Sequence, residues 1–153
     1  MKTKPCLSMD DAKKIAAGCE REAFAKKWAV TIAIVDDGGF LLHLDRMDGA
    51  AVTTAEVATG KARTSALTRR PSKDFEERVK ERPSFISFPA GLFIQGAVPI
   101  MHDNECVGAI GVSGGVLLAD DDELVKRKKI RRKLRATAAV LSLKNTVRAR
   151  LGN

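Results

Sequence analysis

Cysteine, aromatic residues and long apolar runs are all scarce in this chain of 153 residues. The three cysteines, Cys6, Cys19 and Cys106, form no C-x-x-C pair, which disfavours a disulfide framework and a zinc site and fits reduced thiols in the cytoplasm. The first residues lack the apolar region of a signal peptide. No apolar run approaches the ~18 residues needed to cross a bilayer. We therefore expect a cytoplasmic protein that has no bound metal and no membrane partner.

The net charge of +8 comes from one segment rather than from the whole chain. Of 27 basic residues, eight lie in residues 126–135, which contain no acidic residue, so the remaining 19 basic residues equal the 19 acidic ones. Ile130 and Leu134, four positions apart, predict a helix with a basic side facing solvent. This helix suggests non-specific nucleic-acid binding as one hypothesis. The segment has no aromatic residues for base stacking, which argues against a nucleic-acid partner.

Capping, periodicity and turn signals divide the chain into short helices and strands. Ser8 and Asp11 have the spacing of a helix start. The β-branched run over 30–35 predicts a strand buried on both faces, and Asp36–Gly39 is typical of a hairpin turn. The length fits a single domain over residues 1–153. The predicted elements are a helix over 8–27, strands over 30–35 and 40–46, helices over 54–67 and 73–80, strands over 92–95, 97–102 and 106–112, and an atypical basic C-terminal helix from about residue 123.

The order of these elements predicts an α+β fold. Strands joined by tight turns favour an antiparallel sheet over a parallel one. Strands that are apolar on both faces need helices on both faces. We therefore predict a three-layer α/β/α domain with a central five-stranded antiparallel sheet.

The segment Val107–Gly115 contains glycine within an apolar strand. Gly108 and Gly111 leave the strand without side chains, which indicates a bulge or a close approach by another backbone or a ligand. Ser113 and Gly114 then place amides and a hydroxyl at the end of the strand, where binding groups are common. Two alternatives therefore stand, a crowded buried strand or a binding turn whose amides face an anion.

Five motifs follow one another along the chain. They are Val35–Gly39, Arg46–Ala50, Lys61–Ala66, Gly96–Ile100 and Val107–Gly115. In this order they resemble the GlcG/HbpS-like family, also called the heme-degrading domain family, which includes the C-terminal domain of PduO-type proteins. The resemblance implies a profilin-like fold and a homo-oligomer, often built from dimers. It also implies a link to heme binding, degradation or sensing, or to operons for the catabolism of glycolate, diols or aromatic compounds.

The chain departs from the family pattern after Asp122. Members usually continue with an amphipathic helix rich in alanine and glycine, whereas the basic segment over 126–135 follows here. That segment is either a specialisation of this chain or an altered terminus, and the two alternatives stay open.

Lys61 and Arg46 are the cations that we expect to bind a ligand. Lys61 lies on a helix face that approaches the sheet, where an ammonium can bind a carboxylate; the alternative is a lysine that extends to solvent. Arg46 ends the second strand, where its guanidinium can hold a carboxylate through two bonds or form a weak surface pair. Gly96, Ser113 and Gly114 complete the predicted ligand site.

The candidates for iron ligation are Cys106 and His43. Each has a simpler alternative, since free cysteine is usually a small buried hydrophobe and a histidine within a sheet is usually hydrogen-bonded. His43 and Lys61 are also the candidate catalytic residues, with Lys61 polarising a carbonyl or carboxylate and with His43 or an aspartate as the base. The second histidine, His102, precedes a turn and is predicted to face solvent.

These residues support three functional hypotheses. The leading one is the binding of a small anionic ligand, with heme as a possible cofactor because its propionates suit Lys61 and Arg46. The alternative is an isomerase, lyase or hydrolase acting on a small organic acid in a catabolic operon. The third is non-specific nucleic-acid binding through the basic C-terminal helix.

Overall fold

The first helix begins where the sequence signals it. In the computed structural model, which describes residues 3–89 and 91–114, helix α1 spans Met9–Ala25 and follows the N-cap Ser8. The Ser8 hydroxyl accepts a hydrogen bond from the Asp11 amide at 3.2 Å, and the Asp11 carboxylate accepts one from the Ser8 amide at 3.2 Å. This reciprocal pair is a capping box. One side of α1 is buried, and its apolar members are Ala12, Ile15, Ala16, Cys19 and Ala23.

Two further helices follow the first hairpin. Helix α2 spans Thr54–Thr68 and ends at Arg69, whose backbone takes the left-handed conformation with φ 59°. Helix α3 spans Ser72–Glu81 and a short 3₁₀ helix spans Pro83–Ser87. The breaks between these helices coincide with prolines, which cannot donate the backbone hydrogen bond that a helix interior requires.

The sheet is wholly antiparallel, as predicted. The described residues form four strands: β1 (Thr31–Asp36), β2 (Leu41–Arg46), β3 (Ala97–His102) and β4 (Glu105–Ser113). Their order in the sheet is β2-β1-β4-β3, and every neighbouring pair is antiparallel. The edge strands are therefore β2 and β3, and the two central strands are β1 and β4.

The prediction of five strands is wrong for the part of the chain that the structure describes. Residues 92–95, predicted as a strand, have no partner strand there. Their backbone groups bond to helix side chains instead: the Thr64 hydroxyl donates to the Leu92 carbonyl at 2.8 Å, and the Gln95 amide donates to the Glu76 carboxylate at 2.9 Å. The apolar residues of this segment therefore cover α2 and α3 rather than extend the sheet.

Helices cover both faces of the sheet. Ile32 and Ile34 of β1 pack with the buried side of α1, whereas Val35 packs with Ala62 and Ala66 of α2. Alternate residues of a strand point to opposite faces, so α1 and α2 lie on opposite sides of β1. The described residues thus form the predicted α/β/α layers. None of the described helices has the length and apolar character that crossing a bilayer requires.

Candidate functional site

Gly111 allows α2 to pack directly against β4. A Cβ atom at this position would lie 2.3 Å from the Ala58 carbonyl oxygen and 2.8 Å from the Ala62 amide nitrogen. Gly108 is similarly close to β1, with its Cβ position 2.3 Å from the Val35 carbonyl oxygen. Both strand glycines therefore serve close packing, which was one of the two alternatives for this segment.

Lys61 extends from α2 to the end of β4. Its side chain is fully buried, and its Nζ donates a hydrogen bond to the Val112 carbonyl oxygen at 3.1 Å. The helix can bring this lysine so close to the strand because Gly111 has no side chain between them. The lysine face of the helix approaches the sheet, as expected, and the alternative of a lysine extending to solvent does not hold.

Gly96, Ser113 and Gly114 lie at the same end of β4 as the Lys61 ammonium. The Gly96 carbonyl accepts a hydrogen bond from the Val112 amide at 2.9 Å. Gly96 and Gly114 have φ values of 117° and 122°, which side chains rarely tolerate. The Ser113 side chain is buried. The structure therefore brings together four of the residues that the sequence predicts for ligand binding.

Arg46 lies at the same end of the sheet as Ser113, because both are paired with Thr31. Thr31 of β1 is directly opposite Arg46 of β2 on one side and Ser113 of β4 on the other. Paired residues point to the same face, and the Thr31 hydroxyl is 2.7 Å from the Thr54 hydroxyl at the start of α2. Arg46 is exposed at the margin of this face. We call Arg46, Lys61, Gly96, Ser113 and Gly114 the Lys61 site.

Sequence reasoning missed the two threonines that border this site. Thr31 belongs to the β-branched run over 30–35, which predicts only a buried strand, and Thr54 begins the predicted helix over 54–67, on the face that carries Lys61. The signal was available, since Thr31 is the one hydroxyl-bearing residue in its strand. A polar residue in an otherwise apolar central strand needs a partner when it is buried.

His43 lies on the other face of the sheet from Lys61. It is directly opposite Ile34, whose side chain packs with α1, and its Nε2 is 2.7 Å from the Asp45 carboxylate. Of the two alternatives for His43, an iron ligand or a hydrogen-bonded histidine within the sheet, the structure shows the hydrogen-bonded one. Because the sheet separates His43 from Lys61, the two side chains do not form an acid and base pair at one ligand.

Cys106 lies at the opposite end of β4 from Ser113. Its thiol donates to the Gly108 carbonyl at 3.2 Å and contacts the Ala66 carbonyl at 3.9 Å. Seven residues separate Cys106 from Ser113, a distance of about 23 Å at roughly 3.3 Å per strand residue. Neither candidate iron ligand is therefore part of the Lys61 site.

The prediction that His102 faces solvent is wrong. Its side chain is buried, because alternation along β3 places it on the same side as the buried Ile100. The turn at Asp103 and Asn104, both with left-handed φ, begins only after His102. The His102 Nε2 is 3.4 Å from the Asp103 carboxylate.

No group of three potential metal ligands occurs within residues 3–89 and 91–114. The basic segment 126–135 and the residue Gly115 lie outside the described residues, and so does the predicted C-terminal helix. The nucleic-acid hypothesis depends on that helix and stays a prediction.

Comparison with known proteins decides the family. A family model described as "Haem degrading protein HbpS-like" matches residues 7–130, which is more than half of the chain. The chain belongs to the HbpS-like family. The likeness that five ordered motifs indicated is thereby confirmed.

Several known proteins resemble this chain in sequence or in fold. Protein GlcG of Escherichia coli (strain K12) is 45% identical over 114 residues, which cover 74% of this chain and 85% of GlcG. A crystal structure of a Streptomyces reticuli HbpS double mutant is similar with a TM-score of 0.75 and 28% identity, covering 92% of this chain and 90% of that one. A crystal structure of a PduOC:heme complex has a TM-score of 0.73 at 20% identity, covering 83% of this chain and 94% of that one, which shows the fold alone.

Proposed function

We propose that this protein binds a small anionic ligand at the Lys61 site. The observation that carries the proposal is the Lys61 ammonium, which is fully buried and held 3.1 Å from the Val112 carbonyl at the end of β4. A cation in a low-dielectric interior attracts a carboxylate more strongly than a cation in water does. The start of α2 at Thr54 adds the partial positive charge of a helix N-terminus.

Heme is the leading candidate for this ligand. The HbpS-like family is described as heme degrading, and a structural neighbour was crystallised as a heme complex. The two cations of the site, Lys61 and Arg46, suit the two propionates of heme. Heme bound there would supply a redox-active iron.

The described residues fit the propionates better than they fit the iron. His43 faces α1 and Cys106 lies about 23 Å away along β4, so neither side chain reaches a ligand held by Lys61. We therefore expect the carboxylates of the ligand, rather than an iron bond to either residue, to determine its affinity. The same separation removes His43 as the base of the enzyme hypothesis, which leaves an aspartate as its other candidate.

A titration with hemin tests this proposal. We expect a saturable shift of the Soret band in the wild-type protein. Lys61→Met should bind hemin at least roughly tenfold more weakly than the wild type does, because a bond between charged groups contributes about 1.5–3 kcal/mol. Lys13→Met is the matched control, since Lys13 is exposed on α1, and it should bind hemin as the wild type does. Arg46→Gln, at an exposed position, should weaken binding severalfold without affecting folding.

Two outcomes would overturn the proposal. One is the absence of saturable binding for hemin and for small organic acids such as glycolate. The other is equal hemin affinity in the wild type, Lys61→Met and Arg46→Gln, with circular dichroism showing that the variants are folded. If glycolate binds in a Lys61-dependent way and hemin does not, the anionic site stands and heme is not its ligand.

A further inference from the structure

A pocket of about 370 Å³ opens beside the 3₁₀ helix that follows α3. None of its lining residues belongs to the Lys61 site. Its volume lies at the lower end of the range for small-molecule pockets, which suits a compound of one or two rings. The lining residues are Arg82, Ser84, Phe85, Ser87, Phe88 and Pro89, and we call this space the Arg82 pocket.

The aromatic wall of the Arg82 pocket is held in place from behind. Phe75 of α3 is buried and stacks against Phe88, with ring centroids 6.3 Å apart and planes at 29°. Phe93 stacks against Phe75 as well, with centroids 5.7 Å apart. Phe88 is nevertheless 48% exposed. A half-exposed ring that is already ordered offers a stacking surface at low entropic cost.

Among the described residues that line the pocket, Arg82 is the only charged one. Its guanidinium lies over the Phe85 ring, 5.7 Å from the ring centroid. Within the part of the chain that the structure describes, its side chain forms no hydrogen bond and no ion pair. The N–H donors of a guanidinium lie in one plane, where they can hold a carboxylate in a bidentate manner. The contact with the Phe85 ring leaves these donors available to bind an anion.

We propose that the Arg82 pocket binds a planar aromatic acid, a compound of one or two rings that carries a carboxylate. The rings of Phe85 and Phe88 receive the aromatic portion and Arg82 binds the carboxylate. The hydroxyls of Ser84 and Ser87 provide the remaining polar groups of the lining. This proposal does not depend on the function proposed for the Lys61 site.

Isothermal titration with 2-naphthoate tests the charge. We expect saturable binding of 2-naphthoate to the wild-type protein. Arg82→Gln should bind it at least roughly tenfold more weakly than the wild type does. Arg78→Gln is the matched control, because Arg78 also lies over a ring, 5.3 Å from Phe75, but is not part of the lining. Its affinity should stay within about twofold of the wild type, since no ligand bond is lost.

Paired probes test the ring. Benzoate and cyclohexanecarboxylate have the same charge and similar size, and only benzoate can stack. We expect benzoate to bind about two- to tenfold more tightly, in line with the 0.5–1.5 kcal/mol of an aromatic pair. Phe88→Leu should remove this preference. The proposal is overturned if 2-naphthoate shows no saturable binding, if Arg82→Gln binds it like Arg78→Gln, or if binding disappears in Lys61→Met and survives in Arg82→Gln.

Discussion

At the scale of single residues, Gly111 and Lys61 depend on each other. The absent side chain of Gly111 lets the backbone of α2 approach β4, and that approach brings the Lys61 ammonium to the Val112 carbonyl. The sequence indicated both features separately. Glycine in a strand predicted a close approach by another segment, and the helix periodicity placed Lys61 on the face toward the sheet. It did not indicate that α2 is the segment that approaches Gly111, because that contact joins residues about fifty positions apart.

Gly111→Ala should be strongly destabilising. The added Cβ would lie 2.3 Å from the Ala58 carbonyl oxygen, so α2 must move away from the sheet, at a cost of about 3 kcal/mol. Urea unfolding measures this loss. Gly38→Ala is the control, because its Cβ would meet only side-chain atoms, at 3.3 Å, and its midpoint should change much less. Equal midpoints for the two variants would contradict the close contact between α2 and β4.

At the scale of elements, the segment between α3 and β3 shows what local patterns miss. Its apolar residues predicted a strand, yet its backbone bonds to side chains that are distant in sequence, those of Thr64 and Glu76. The buried Ser72 hydroxyl likewise accepts a hydrogen bond from the Ala97 amide at 3.0 Å. Propensity describes the segment alone and cannot show that a helix side chain, rather than a neighbouring strand, satisfies its amides.

Ser72→Ala tests the joint between α3 and β3. The substitution leaves the buried Ala97 amide without its acceptor, which should lower the free energy of unfolding by about 1–3 kcal/mol. Ser87→Ala removes an exposed hydroxyl that donates to the Ser84 carbonyl within the 3₁₀ helix, so its effect should stay within about 0.5 kcal/mol. Thermal unfolding of both variants measures the difference. A Ser72→Ala protein as stable as Ser87→Ala would rule out this bond as a stabilising contact.

At the scale of the whole molecule, the pattern of apolar and polar residues predicted the α/β/α layers, and the likeness to a known family predicted a ligand site. Capping boxes, turns and apolar periodicity are local, so the three helices and four of the strands could be located from the sequence. The positions of His43 and Cys106 relative to the Lys61 site could not be predicted from the sequence. They depend on strand register and on which helix covers which face of the sheet. A shift of one residue in register would exchange those faces.

The homo-oligomer that the family resemblance implies stays a prediction, and the edge strand β2 offers a test of it. Phe40 and Leu41 are 66% and 49% exposed beside this edge, and exposed apolar side chains at an open sheet edge mark an association surface. We expect sedimentation to show dimers or larger assemblies that Leu41→Lys shifts toward the monomer. A monomeric wild-type protein would contradict this expectation.

We propose that the Lys61 site binds an anionic ligand of the heme type. NMR spectra of the ¹⁵N-labelled protein, titrated with the diamagnetic analogue gallium protoporphyrin IX, report on this site residue by residue. We predict saturable shifts of the Gly96, Ser113 and Gly114 amides that largely disappear in Lys61→Met. Saturable shifts confined to the surroundings of His43 and Cys106, with those three amides unchanged, would contradict it.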